Sequence, residues 1–439
     1  MGASSGTPLY RVTRAVNANK PRHRPSHAEL KQMLEQHQRF LSGRGGVRAL
    51  LAFADLSGRA LIGVNLAEAD LSGATLHGAY LSEAKLDRAM LFGADLNDTD
   101  LEGASLVGAN LRGATLRGAN LTRANLLRAD LRSGAIATKD LKGNLYPVVG
   151  GPGMSLNAGP AELQGARLIN ANLTDADISG VIATQTDFTD AVMRGCNLSH
   201  ANLQKAKLVG ADLEGADLSA ADLRGADLEG AILTDAKIEL TDLYGASLKG
   251  VLTEKPAGKP IEELGMDVDE LVRLHVQWVD SSGSSGKPAD VSGFDLRRGP
   301  SLKGANLTAL RAETATFYGL DLEGARLQGA KLAGADLRMC CLRGADLRGA
   351  QLQGALLNRA DLRDANLEPL LMDSGRIYPT NLEGARLRCA DLRGARLRGA
   401  NLRTVDLSEA DLTEADFKNC AMDGAVMPRR RAAAKVQNG

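Results

Sequence analysis

The sequence predicts an all-β solenoid: a four-sided β-helix in two units, each preceded by an amphipathic capping α-helix. Three observations carry that expectation: a period of five over most of the chain, two helical segments built to one plan, and a composition poor in aromatics. Of the 439 residues, 44% are hydrophobic but only 3% aromatic, with one Trp, six Tyr, seven Phe and 49 Gly. Leu and Ala therefore supply most of the apolar share, which suits a narrow repetitive core better than an enzyme interior. Basic and acidic side chains balance at 53 each. No run approaches the roughly 18 apolar residues of a membrane-spanning helix. The N-terminal MGASSGTPLYRVTRAV lacks the apolar stretch of a secretory signal. A soluble cytoplasmic protein that makes no use of a membrane is expected.

Residues 1–25 read as a basic disordered tail. From Ser26 to Leu41 the pattern is helical: Leu30, Met33, Leu34, Phe40 and Leu41 share a face, and Ser26 with Glu29 forms a capping box. A first capping helix is expected over 26–42. Leu then returns every fifth residue, from Leu51 to Leu141, again from Leu163 to Leu248, and again from Leu302 to Met427, giving 19, 18 and 26 repeats. With that Leu as position i, Ala is usual at i−2, Asp or Asn at i−1, and Gly at i+2.

A period of five fits neither a helix at 3.6 nor an alternating strand at 2. If each pentapeptide is one short extended side followed by a turn, four close a square coil of about twenty residues, and coils stack at the β-sheet spacing of about 4.8 Å. Positions i and i−2 then fill the lumen, while i−1, i+1 and i+2 face outward. The departures are Ala183 and Ala312 at i, Arg59 and Lys139 at i−2, and a one-residue slip between Leu296 and Leu302; thinner or bulged coils are expected there. The stretch 142–162 interrupts the repeat and reads as a loop thrown out of the coil.

Residues 251–295 read as a linker containing a second capping helix, 267–279. There Asp267 and Glu270 stand as the box, and Val268, Leu271, Val272, Trp278 and Val279 share a face. Aligned on His37 and His275, the two helices place apolar residues at −7, −4, −3, +3 and +4, which indicates an internal duplication. The repeat array therefore divides into a first β-helix, 49–250, and a second, 296–427, followed by a basic tail, 428–439.

The tandem A(D/N)LxG motif resembles the pentapeptide-repeat family over about three-quarters of the chain. The resemblance implies a right-handed quadrilateral β-helix. It also implies an alternative function, because the Qnr and MfpA branch mimics B-DNA with an acidic surface and binds topoisomerases. Members that dimerise through a C-terminal coil imply a homodimer here, since no cap follows Met427.

Charge arrangement argues against mimicry. Residues 163–250 carry 7 basic and 13 acidic side chains, including Asp212, Asp217, Asp222 and Asp227. Consecutive repeats face four directions, however, and the residues twenty positions on are Ile232, Lys237, Asp242 and Ser247. The second β-helix is net +2, with Arg388, Arg393, Arg398 and Arg403 circling one coil. A DNA-like potential needs one sustained sign. The tails are basic but lack interleaved aromatics, so nucleic-acid binding is not expected.

No HExxH, GxSxG, P-loop or GxGxxG stands in suitable context, and the six His are scattered, so no catalytic residue, cofactor or metal site is expected. The i−1 Asp residues are expected to bond backbone at corners or pair with Arg, as for Asp336, Asp346 and Asp361 beside Arg338, Arg348 and Arg363. Cys196, Cys340 and Cys420 sit at i−2 as small buried side chains; Cys341 and Cys389 point outward and are the better thiol candidates. The candidate interaction loop centres on Tyr146, Pro147, Val148 and Val149. His37, Phe40, His275 and Trp278 are candidates for cap faces that shield the solenoid ends. The expected function is a non-enzymatic scaffold presenting its outer faces to a protein partner, with topoisomerase binding or a passive spacer as alternatives.

Overall fold

The computed structural model describes residues 23–134, 137–139, 145–147, 159–372 and 374–428. The chain divides into two compact units, Met1–Glu254 and Lys255–Gly439. Among the described residues no helix is long and apolar enough to cross a membrane.

One repeat explains the motif. At Leu96, the position-i amide donates to the Thr115 carbonyl of the next coil (2.7 Å), and two residues later the Asp98 amide donates to Arg117 (2.9 Å). The Thr99 amide closes a turn onto the Leu96 carbonyl (3.2 Å), and the Asp100 amide donates back to Ala79 (3.0 Å). The i+1 amide alone lacks a main-chain acceptor, and the Asp95 carboxylate at i−1 takes it, Asn97 N to Asp95 Oδ1 at 3.1 Å. Asp and Asn recur at i−1 because they satisfy the one amide the coil leaves over. Within the regular coils the i+2 residue is left-handed, at φ 55° for Asp98, which is why Gly is frequent there.

Parallel bridges link each i−1 residue to the one twenty positions on, as in Asp55 with Thr75 and Asn202 with Asp222, and four such columns run along each unit. This is the square coil expected. Leu at i and Ala at i−2 are buried in the lumen, except in the end coils of the units. At several i−2 Thr and Cys residues the side chain donates to an i-position carbonyl of the previous coil: Thr99 to Leu76, Thr186 to Leu163, Cys340 to Phe317. The two Ala at i do not thin the coil. Ala183 precedes Phe188 and Ala312 precedes Phe317 at the next i, and all four are buried. Small and large neighbours thus conserve lumen volume.

Helix α1 (His27–Leu41) starts at Ser26, whose hydroxyl accepts from Glu29 N while its own amide donates to the Glu29 carboxylate. Leu30 joins the buried cluster of unit 1, with Met33 and Leu34 partly buried against it. Strands β1 (Ala137–Lys139) and β2 (Leu145–Pro147) pair antiparallel. In unit 2, β3 (Lys259–Pro260) pairs parallel with β4 (Phe294–Asp295), and α2 (Val268–Asp280) lies between them in sequence. Val268 enters that unit's buried cluster, and Leu271 and Val272 pack against it. Strands β5 (Leu370–Leu371) and β6 (Ile377–Tyr378) form a second antiparallel hairpin.

Several expectations are corrected. The second helix has no reciprocal box: Asp267 accepts from Asp269 N, and the Glu270 carboxylate is held instead by Arg273 at 2.7 Å. Residues 23–25 are not a free tail, since the His23 carbonyl accepts from Asp55 N (2.9 Å) and Pro25 accepts from Arg59. The stretch 251–295, expected as a linker containing the second helix, also has bonded ends: Leu252 still bridges Ile232 in unit 1, and Lys259 N donates to Gly293 in unit 2 (2.8 Å). The slip after Leu296, by contrast, is the one-residue bulge expected there, with Asp295 bridging Thr316. The first array leaves the coil after Leu131, before the expected 142, because Asn125 already pairs with Asn172. Most consequentially, the third array is interrupted: Gln351 bridges Asn381, and Met372 and Ile377, counted as lumen positions, stand on the β5–β6 hairpin.

Candidate interaction surfaces

The outer positions are dominated by short-range pairing. The expected Asp–Arg partners meet two residues apart: Arg338 and Asp336 at 2.7 Å, Arg348 and Asp346 at 2.6 Å, Arg363 and Asp361 at 2.6 Å. The Arg363 guanidinium holds the Asp361 carboxyl below its usual range. In unit 1 the Arg224 side chain lowers Asp222 to about 2. Asp212 of the acidic run is buried and held by Arg194 at 2.6 Å. The bridge columns carry Asp212 to Ile232 and Asp217 to Lys237, so the run does not build a stripe of one sign.

Two hairpins break this even surface. The first follows Leu131, and its base is anchored where Arg112 donates to the Ser133 carbonyl (3.1 Å) and Phe92 is buried beneath Gly134. Tyr146 and Pro147 lie on β2; Val148 and Val149 fall outside the described residues. The second hairpin, missed in the sequence, carries Leu371 and Ile377 at 67% and 65% exposure, with Met372 and Tyr378 also exposed. Its root is fixed, because Leu370 lies over Gly349 and the Thr380 hydroxyl accepts the Gly349 amide at 2.8 Å. The signal that could have revealed it is Pro369, at an i+2 position where the coil needs positive φ and proline is locked near −65°.

The ends of each unit differ. At the N-terminal ends the helix histidines are buried: His37 Nδ1 accepts from Ala49 N (3.1 Å) and His275 Nδ1 from Ala289 N (3.0 Å), with Phe40 and Trp278 stacked on the respective rings. At the last coil of unit 1, Ile238 and Leu248 are exposed although they occupy i. In the last coil of unit 2, Phe417 and Met422 are only partly buried.

Comparison with known proteins bears on this arrangement. A family model described as pentapeptide repeats (8 copies) matches residues 49–88, 94–132, 161–250, 301–368 and 380–427, well over half of the chain. The chain belongs to the pentapeptide repeat family. Pentapeptide repeat proteins form right-handed β-helices, and two of the stretches the family model skips, 133–160 and 369–379, are those of the two hairpins. Solved structures with which the chain aligns include the pentapeptide repeat protein Rfr23 from the cyanobacterium Cyanothece 51142, at 33% identity over 32% of this chain and 90% of that one (TM-score 0.26). HetL of Nostoc sp. strain PCC 7120, involved in heterocyst differentiation regulation, aligns at 24% identity over 91% and 96% (TM-score 0.19). QnrB1, a plasmid-mediated fluoroquinolone resistance protein, aligns at 18% over 47% and 92% (TM-score 0.27). Those low TM-scores leave the family model as the deciding observation. No curated protein matches the sequence.

The pentapeptide coil also decides what its reactive side chains can do. Cys196 and Cys340 are lumen residues whose thiols burial pushes up, whereas Cys341 and Cys389 are half-buried on the outside. Asp321, Glu323 and Cys341 bring ligand atoms within 4.8 Å of one another. Glu323 is already held by Lys303 at 2.6 Å and by Arg343, so the cluster is part of an ion-pair ladder along the column.

Proposed function

We propose that this pentapeptide repeat protein is a non-enzymatic scaffold that binds a protein partner through its hairpins, with α1 and α2 covering the N-terminal edge of each β-helix. The observation that carries the reading is the β5–β6 hairpin: four large apolar side chains held in water by a rooted turn, on a surface where many charges are paired at short range. Exposed apolar groups on a rigid support are the usual chemistry of recognition. The partly open last coil of unit 2 supports self-association there as a further part of the same reading. Mixed-sign bridge columns favour protein display over an acidic DNA-like surface.

The test is comparative capture with immobilised full-length chain and a variant lacking residues 370–379 with Pro369→Gly, which keeps the repeat in phase. A protein retained by the first and released from the second supports the reading. Equal retention by both removes the hairpin from it, and potent protection of gyrase in a supercoiling assay would replace display by topoisomerase binding.

A further inference from the structure

We propose that His37 and His275 are paired acid-sensitive latches: protonating either ring undocks its helix and uncovers the first coil of its β-helix. The two sites are built alike. Each ring is fully buried, and each uses Nδ1 to accept a main-chain amide of the segment entering the first coil, Ala49 in unit 1 and Ala289 in unit 2. An imidazole nitrogen that accepts must carry no proton, so both rings are neutral with hydrogen on Nε2. Nε2 is buried too, turned toward the Ala67 carbonyl in one unit and the Thr308 carbonyl in the other, outside ordinary hydrogen-bond geometry. A glycine of each entering segment is pressed on the same turn of helix: a Cβ on Gly46 would meet the Gln36 carbonyl at 2.3 Å, and one on Gly286 the Leu274 carbonyl at 2.2 Å. The remaining histidines, His23, His27, His77 and His200, are exposed.

Adding a proton to Nδ1 turns the acceptor into a donor facing a donor and places a cation in a dry site. The Ala67 and Thr308 carbonyls facing Nε2 favour the charged ring, but burial outweighs them. Around His37, Arg48 of the entering segment and Glu68 of the first coil act with opposite sign, and Arg48 is itself engaged by the Glu68 carbonyl and Met90 Sδ. Among the described residues no charged group acts on His275. Burial holds both rings below the usual histidine value of 6.5. The docked form therefore binds fewer protons than the released form. Docking is intact above about 6.5 and weakens as pH falls toward the docked value, by up to about tenfold per histidine for each pH unit. Release would expose unpaired strand edges, the ordinary route to edge-to-edge association.

The inference rests on α1 and α2 being covers. A variant lacking residues 26–41 that stays monodisperse at pH 7.5 would remove that premise, while titration of the native rings tests their chemistry separately. The latch itself is tested on the full chain by imidazole 15N titration between pH 8 and 5, with light scattering in parallel. Expected are two rings with unprotonated Nδ1 that titrate below the usual histidine value of 6.5, and scattering that rises as those two rings become charged. Titration of these two rings at or above 6.5 overturns the proposal, as does unchanged scattering once they are charged. The double variant His37→Gln, His275→Gln should lose the acid response; an undiminished response in a variant shown by circular dichroism to be folded at pH 7.5 overturns it. If that variant does not fold, the titration of the native rings decides.

Discussion

Ile178 and Ile377 occupy the same phase of the same repeat and live in opposite environments. Ile178 is sealed in the lumen of unit 1, while Ile377 is 65% exposed on the hairpin of unit 2. Met193 and Met372 make the same contrast. The side chains are equal, so the cause lies in the backbone before them. Leu173 is followed at i+2 by Asp175, which adopts φ 55°; Leu367 is followed at i+2 by Pro369, which cannot. The chain leaves the coil there and re-enters at Thr380, whose hydroxyl donates to the Leu347 carbonyl at 3.2 Å as other i−2 Thr residues do. An apolar residue at the right phase enters the lumen only if the preceding turn can close.

The largest effect expected from this contrast is on burial of charge. Ile178→Asp places a carboxylate among fully buried Leu and Ala side chains and should cost about 4 kcal/mol or more. Ile377→Asp should change stability by no more than about 0.5 kcal/mol. Chemical denaturation followed by circular dichroism checks both. Equal losses would place the two isoleucines in one kind of environment and refute the hairpin.

This contrast also explains what the sequence could and could not disclose. Lumen and outer faces were legible because one site in five demanded Leu, and the helices because Ser26 and Asp267 precede apolar periodic runs. The first insertion showed itself because Asn125 pairs with Asn172, an offset of 47, which is not a multiple of five and breaks the phase. The second is ten residues long, as Gln351 with Asn381 shows, so Met372 and Ile377 stayed in step and were read as lumen. The extended segments 23–25 and 259–260 were illegible for another reason: they bond to first coils through carbonyls and amides, which any residue supplies. His37 and His275 were placed on the cap faces, but only geometry identifies Nδ1 as the acceptor of a buried amide.

A smaller effect separates closure of the turn from packing of the hairpin. Gly349 and Gly354 both take positive φ, 70° and 64°, so alanine at either should cost about 1 kcal/mol for the left-handed backbone. A Cβ on Gly354 meets nothing within 4 Å, whereas one on Gly349 lies 2.7 Å from Leu370 Cβ and 3.3 Å from the Tyr378 carbonyl. Gly349→Ala should therefore be the costlier by about 1 kcal/mol or more and should make the chain cleavable by protease between 370 and 378. Identical stability and proteolysis for the two variants would mean that the hairpin does not rest on Gly349.

Only a small change in stability is expected from the most drastic edit. Removing residues 370–379 with Pro369→Gly joins Leu367, Glu368, the introduced glycine, Thr380, Asn381 and Leu382, which restores an apolar residue every five and a left-handed-competent i+2. Thr380 already sits in the lumen and Asn381 already donates its amide to Ala350, so neither needs to move far. The exposed apolar side chains lost with the hairpin contribute little burial, and stability should stay within about 1 kcal/mol of the parent. The same excision with Pro369 retained asks proline to adopt the φ it cannot reach and should be clearly less stable. If the two excised chains unfold alike in denaturant, the hairpin is not proline's doing, and the contrast between Ile178 and Ile377 needs another cause.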